Sequence, residues 1–212
     1  MKKEVMIGRL TSRRRILIDF IICIPSFYCL YWLHYSMFSK SNFYLAYPEY
    51  LDLTFYCLIC GVLIAMILAT MSYGNKQIIV VDQTNFKYCS NPGIVSRYQQ
   101  FFRILTNKKP VFDIIIPLDQ IEEIVLSYSD IYMLWNQKGH SFIFNLKLLD
   151  GTMISINPDN LYFKKENCLA GIEFIENQGV IVKDPYNLKA ALRNTEMRFA
   201  EHIEKEKNNH GF

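Results

Sequence analysis

Charge is scarce in one long part of this chain. From position 16 to position 73 the only Asp, Glu, Lys or Arg residues are Asp19, Lys40, Glu49 and Asp52, which excludes a water-exposed segment of ordinary soluble composition there. Also missing are a glycine-rich phosphate loop, an H-E-x-x-H pair and any zinc spacing of Cys and His. Those absences remove the common sequence grounds for a nucleotide-hydrolysing or metal-dependent enzyme. The chain has no internal repeat and no low-complexity linker, so repeat architectures and a long flexible tether are excluded. Nor does a basic stripe run through the later part. From position 74 onward 16 Lys or Arg stand against 16 Asp or Glu, and the net charge of +3 comes wholly from the first 73 residues. A nucleic acid backbone finds no electrostatic footprint in such a segment.

What the charge-poor part does contain is two apolar runs. Residues 16–38 and 51–73 are each 23 long, and a helix of that length reaches about 35 Å, enough to cross a hydrocarbon core of about 30 Å with some tilt. The 39–50 segment between them, SKSNFYLAYPEY, is too short for a domain and joins the two as antiparallel neighbours. Orientation follows from Lys and Arg near the span ends, since cytoplasmic flanks carry the excess. Lys2, Lys3, Arg9, Arg13, Arg14 and Arg15 precede the first run, Lys40 alone lies between the runs, and Lys76 and Lys87 follow the second. Both termini are therefore expected in the cytoplasm of a plasma-membrane protein. Tyr31, Trp32, Tyr35, Phe38, Phe43 and Tyr44 crowd the opposite boundary, where amphipathic rings prefer to sit. The first run greatly exceeds the 7 to 15 apolar residues of a cleaved signal, so retention as an anchor is expected.

Two polar residues within the runs are candidate working groups by default, because ionisable side chains are costly in a bilayer. Asp19 stands four residues after Arg15, a spacing that pairs them on one helix face at headgroup level. His34 lies near the outer end among aromatics and is expected to be interfacial. Pro25 predicts a kink in the first helix. Four of the six cysteines, Cys23, Cys29, Cys57 and Cys60, lie in the apolar runs. The C-x-x-C formed by Cys57 and Cys60 lacks the strand–turn–helix context of a redox motif, so cysteine reads as a small apolar residue. Disulfides are not expected in a reducing cytoplasm.

From position 74 the chain reads as a β-rich body followed by helix. KQIIVVDQTNFKYC predicts two strands around a turn at positions 82–85, GIVSRYQQFFRIL fits strand or helix, and TNKKP is a surface loop carrying Lys108 and Lys109. VFDIIIPLDQIEEIVLSYS carries two strand-like runs divided at positions 117–120. FIFNLKLLDGTMISIN alternates around Asp150-Gly151, which predicts a hairpin with a type I′ turn. DIYMLWNQKGH reads as a loop or irregular edge, with Trp135 a candidate contact residue. Helical spacing covers 167–177, with Gly179 as a stop, and then 186 to about 207. Cys89 or Cys168 with His140 would be the components of a thiol–imidazole pair, but co-occurrence in one chain carries little weight without geometry. Glu122 and Glu123 are adjacent, so in a strand they face opposite ways and cannot act as a facing acid/base pair.

The order of a membrane hairpin, about seven short strands and a closing helix, with IIIPLDQIEEIVLSY and LKLLDGTMISI within it, resembles bacterial membrane proteins with a pleckstrin-homology-like (PH-like) domain. The resemblance covers position 76 to about 193. It implies an α+β soluble domain: an antiparallel PH-like β-sandwich or barrel capped by a C-terminal helix. It implies an interaction scaffold and no particular chemistry. The expected division is a basic N-terminus 1–15, spans 16–38 and 51–73 around an extracytoplasmic loop 39–50, a PH-like domain 74–193 and a charged helical tail 194–212.

The leading reading is a non-enzymatic binding protein, with no cofactor and no metal ligands. Arg13, Arg14, Arg15 and Asp19 anchor it in the lipid bilayer, and Trp135, Lys108 and Lys109 are candidate contacts for a membrane protein partner. A specific form is an immunity or regulatory protein, for instance one giving protection against a membrane-targeting peptide toxin. The competing class is a subunit of a membrane enzyme or transporter working through Asp19 and His34. Homo-oligomerisation is left open.

Overall fold

In the computed structural model, which describes residues 4–8, 10–74, 77–90, 93–132, 138–158 and 164–210, the chain forms two compact units. One comprises residues 11–75 and 91–110; the other comprises residues 1–10, 76–90 and 111–212. This division departs from the linear one expected. The first residues belong with the β-rich body, and a stretch from the middle of that body belongs with the apolar helices.

In the first unit, α1 (Arg13–Phe38) and α3 (Glu49–Gly74) are joined by the short α2 (Asn42–Ala46), and α4 (Ile94–Leu105) completes it. Ser12 caps α1, its Oγ accepting from the Arg15 N–H at 3.3 Å. Both long helices are long and apolar enough to cross a membrane, and their apolar windows are only 6% and 0% buried. A core helix of a soluble protein would be mostly buried. Here Ile21, Ile22, Leu30, Ile64, Ile67 and Leu68 are all exposed, so the apolar surface of both helices is left largely uncovered by the described chain. The sequence left residues 94–105 open between strand and helix. The outcome is a helix because its apolar residues recur on one half of a helical wheel.

The second unit is built on two four-stranded sheets. The first has the order β1-β2-β3-β4, all antiparallel, from β1 (Glu4–Ile7), β2 (Ile78–Asp82), β3 (Asn85–Cys89) and β4 (Ile114–Pro117). β1 was not expected from the sequence. Its alternation of exposed and buried residues, with Val5 and Ile7 inward, shows the period of a half-buried strand, and it pairs Glu4 with Asp82 through Ile7 with Ile79. β2 is buried on both faces. Ile79 and Val81 enter the main core, while Ile78 and Val80 join Cys89 in a smaller cluster covered by Leu10 and Phe112. At the β2–β3 turn the Asp82 carboxylate accepts from the N–H groups of Thr84 and Asn85 at 2.9 and 2.8 Å and pairs with Lys87 at 2.5 Å. Burial by itself raises the Asp82 carboxyl, but Lys87 and those two N–H groups outweigh it and hold it well below the ordinary range.

The second sheet has the order β7-β6-β5-β8, from β5 (Ile121–Tyr132), β6 (Lys138–Leu148), β7 (Met153–Ile156) and β8 (Ile181–Lys183). β8 runs parallel to β5, so this sheet is mixed, and the two sheets do not close into a barrel. The expected division at positions 117–120 is a one-turn 3-10 helix, Leu118–Gln120. The expected hairpin is present as β6 and β7, but its turn is not type I′. Gly151 has φ +85° whereas Asp150 is not among the residues of positive φ, and the Gly151 N–H donates to the Leu148 carbonyl at 2.9 Å. That is a three-residue loop ending on a left-handed glycine. Parts of DIYMLWNQKGH expected to be irregular are strand, up to Tyr132 and from Lys138.

The core between the sheets contains Phe86, Phe142, Phe144, Leu126 and Leu146, with the Phe86 and Phe144 rings 6.3 Å apart across it. α5 (Lys165–Asn177) adds Cys168, Ile172 and Ile175, and Gly179 at φ +89° ends its last turn as expected. The single helix expected from 186 to about 207 is instead α6 (Leu188–Arg193) and α7 (Phe199–His210). Asn194 divides them. Its Oδ1 accepts from the N–H groups of Glu196 and Met197 at 3.0 and 3.1 Å, while Lys165 Nζ donates to the carbonyls of Asn194 and Met197. A side chain that offers the backbone other partners interrupts a helix that propensity alone would continue.

Close approach decides one glycine in the first unit. A Cβ at Gly74 would stand 1.9 Å from the Arg97 carbonyl oxygen, whereas one at Gly61 would meet nothing within 4 Å. Gly74→Ala is therefore expected to destabilise the protein by about 1–3 kcal/mol, the usual cost of overpacking. Gly61→Ala should leave stability unchanged or slightly raised; thermal unfolding in detergent compares the two.

Candidate functional site

The two long helices bring together residues that are far apart in the chain. Because the helices are antiparallel, groups at similar distances from the connecting segment become neighbours. Asp19, two turns into α1, accepts from the Tyr73 hydroxyl at 2.5 Å. Arg15 lies 4.0 Å from the same oxygen, Oδ2. Arg15 is thus the outlying partner of Asp19 and Tyr73 the close one. The sequence reading missed Tyr73, although the antiparallel arrangement held the signal, since the start of one apolar run must face the end of the other. His34 Nε2 lies 3.1 Å from Thr54 Oγ1 and its ring is 5.0 Å from Phe38. Asp19 and His34 do not form one site. Fifteen residues separate them on the same helix, about 22 Å at the helical rise.

Beside Asp19 and Tyr73 is a cavity of about 330 Å³ between the helices, lined by Cys23, Ser26, Phe27, Ala65, Met66 and Ala69 among others. Its walls are apolar or small apart from the Asp19–Tyr73 pair at one end. Arg13 and Arg14 are exposed on the first turn of α1. Lys108 and Lys109 are exposed just after α4, where the Lys109 carbonyl accepts from Arg103 Nε at 2.6 Å. Trp135 lies outside the described residues. Cys57 and Cys60 are exposed free thiols on α3.

In the β-rich unit the principal polar cluster joins α7 to β5 and β6. His140 is buried, with Nδ1 2.9 Å from Asp130 Oδ1 and Nε2 2.7 Å from Glu204 Oε1. Only the imidazolium can donate from both nitrogens at once; in a neutral ring one lone pair would face a carboxylate. Lys207 Nζ reaches both Asp130 oxygens at 2.9 and 3.0 Å and stands 5.2 Å above the Tyr128 ring. The Lys207 ammonium, with His140 behind it, holds the Asp130 carboxyl below its ordinary range, and Asp130 in turn raises Lys207. The opposed charges neutralise one another and hold a helix in place. The co-occurrence of His140 with Cys89 and Cys168 does not become a thiol–imidazole pair, because both ring nitrogens are engaged by carboxylates. Cys168 is fully buried in the main core, and burial pushes its thiol far up, away from the thiolate a nucleophile requires. Glu122 and Glu123 take different partners, Lys147 and Lys183. Among the described residues no group of three or more His, Cys, Asp and Glu is arranged to hold a metal ion.

A second concave region, about 500 Å³, opens at the end of the sheets and is lined by Gln83, Thr84, Asn85, Asp119, Gln178 and Gly179. Its polar groups are mostly neutral side chains. Comparison with protein-family models, with curated proteins and with solved structures finds no match.

The polar cluster makes the docking of α7 pH-dependent with a definite sign. Asp130 is depressed, so its contribution is complete above the ordinary carboxylate range and is lost as pH falls through its folded-state value. Lys207 is raised, so its contribution is complete below the ordinary lysine range and is lost as pH rises through its own. Hydrogen-exchange protection of the α7 backbone should fall below about pH 4, as Asp130 takes up its proton. Asp130→Asn should lower that protection about tenfold at neutral pH by removing the ion pair with Lys207 and leaving Glu204 as the single carboxylate at His140.

Proposed function

We propose that the protein is a membrane-anchored interaction module. In this reading α1 and α3 cross the plasma membrane as a hairpin, both termini are cytoplasmic, and the β-rich unit is a PH-like domain held at the inner face for a membrane protein partner. The observation that carries the reading is the pairing of β1 with β2. It hydrogen-bonds the chain just before the first long helix to the chain just after the second. Two crossings return the chain to the side from which it started, so this pairing supports a hairpin whose two ends emerge together. The basic flank at Arg13, Arg14 and Arg15 supports the cytoplasmic side for those ends. Two stacked sheets followed by helices support the PH-like assignment, with the parallel β8 and the open barrel as departures from its simplest form.

A domain attached at both ends of a hairpin is held close to the bilayer, which raises its effective concentration for membrane partners. An immunity protein and a regulator are two forms of the same device and differ in what the domain holds. The alternative reading, a subunit of a membrane enzyme or transporter, draws on the Asp19–Tyr73 pair beside its apolar cavity.

Two measurements test the proposal. A C-terminal tag should be cleaved by added protease in inverted membrane vesicles and protected in intact spheroplasts. In cells lacking the native copy, Asp19→Asn combined with His34→Ala at normal protein level should restore the wild-type phenotype, whereas a chain without residues 74–212 should not. Loss of function in the double variant would shift the assignment to the intramembrane alternative.

A further inference from the structure

α4 leaves the β-rich unit after Ser90 and the chain returns to that unit at Val111, so the helix is an excursion made from within a sheet. The neck of the excursion is closed: Ser90 donates from N and Oγ to Asp113 Oδ2 at 2.7 and 2.9 Å, and the Asp113 N–H donates to the Tyr88 carbonyl at 2.9 Å. The helix itself lies on the hairpin. The Phe101 ring centroid is 6.4 Å from those of both Phe20 and Tyr73, the Tyr98 hydroxyl donates to the Ile67 carbonyl, and the backbone at Arg97 passes close to Gly74. Phe20 belongs to the first turns of α1 and Gly74 ends α3. α4 is therefore fixed at the end of the hairpin that carries Arg13, Arg14 and Arg15.

At 100° per residue, Phe101, Tyr98 and Ile104 share an apolar half with Ile94, Val95 and Phe102, while Ser96, Gln99 and Arg103 occupy the other half. The hairpin uses only part of the apolar half. Phe101 is 5% exposed, but Ile94, Val95 and Phe102 are 61%, 70% and 58% exposed. Those three side chains stand on a helix packed against α1 and α3, whose own apolar residues are exposed along their lengths. Exposed Lys108 and Lys109 follow immediately at the helix end.

From this geometry we infer that α4 is an interfacial helix that lies in the inner leaflet beside the hairpin. Val95 and Phe102 enter the boundary between headgroups and acyl chains, and Lys108 and Lys109 face lipid phosphates. The inference rests on the membrane reading above. Its occupant is lipid because the exposed apolar face belongs to a helix packed against the end of the proposed spans that carries Arg13, Arg14 and Arg15, and two further exposed cations follow it directly. An amphipathic helix in that position buries its apolar face about 5–10 Å into the interface. The membrane anchor then consists of two spans and one surface helix, and the surface helix is connected through the chain to β3 before it and β4 after it.

Tryptophan fluorescence of the full chain in nanodiscs, with and without lipids brominated near the top of the acyl chain, tests this. A Trp135→Phe chain retaining Trp32 reports on the hairpin. Phe102→Trp and Gln99→Trp, each in a Trp32→Phe, Trp135→Phe background, report on the two faces of α4; both target positions are exposed. The expected result is a blue-shifted tryptophan at 102 that loses about half its intensity or more to brominated lipid, as a group within the interface does, with little loss at 99. If Trp32 is quenched and the tryptophan at 102 is not, the hairpin is inserted and the surface-helix inference fails. A blue-shifted but unquenched signal at 102 means that protein, another copy or a partner, covers the face, and overturns it equally. Absence of quenching at Trp32 would overturn the membrane reading itself.

Discussion

The pairing of β1 with β2 is the contact on which the rest of the architecture depends. It joins residues separated by the entire hairpin, and loop-closure entropy opposes such a long-range contact. It persists because β2 is buried on both faces and offers β1 a complete ladder, and because Val5 and Ile7 are buried in the body of the unit. The fit is close where α5 crosses: a Cβ at Gly171 would stand 2.5 Å from Ile7 Cδ1. A protein without this pairing would leave the chain before α1 unattached to the β-rich unit, whose remaining links to the helical unit are all after the second long helix. With it, the unit holds the chain on either side of the hairpin.

The hairpin is organised by a second constraint, the antiparallel order of two helices joined by a short connection. That order places Asp19 against Tyr73 and His34 against Thr54, so these two ionisable groups each have a hydrogen-bonding partner on the facing helix, while Ser26, Ser36 and Thr70 bond to carbonyls of their own helix. Satisfaction of polar groups within the protein matters most where water cannot supply partners. The same arrangement explains why α4 leaves the sheet. Part of its apolar half, centred on Phe101, is buried at the end of the hairpin, which supplies Phe20, Tyr73 and the close approach at Gly74 for it.

Within the β-rich unit, α7 is held by charge as well as by packing. Ile203 and Phe199 place α7 against the core, while Asp130, Glu204 and Lys207 surround the buried His140. Individual surface ion pairs contribute little, but these groups share one buried ring, and removing one leaves another unsatisfied. The cluster accounts for the histidine without assigning it a reaction.

Local chemistry was legible without coordinates. The two apolar runs, the Asp82 turn, the 117–120 break, the hairpin at Asp150-Gly151 and the helix before Gly179 all follow from hydrophobic period, turn residues and helix stops, properties that act over a few residues. Of the candidate site, the sequence made Asp19 and His34 visible because ionisable groups are rare in apolar runs, and Arg15 visible because helical spacing is local. Tertiary structure alone decided the partners and the boundaries. β1 is four residues marked only by Gly8, at φ +98°, just after it, α4 had an ambiguous local pattern, and the Asn194 break depends on Lys165 from another helix. Tyr73, Glu204 and Lys207 became site residues only when segments 54 to 77 positions apart were brought together. A hydrogen bond across such a distance depends on the packing of everything between its ends, and no window of the sequence contains that information.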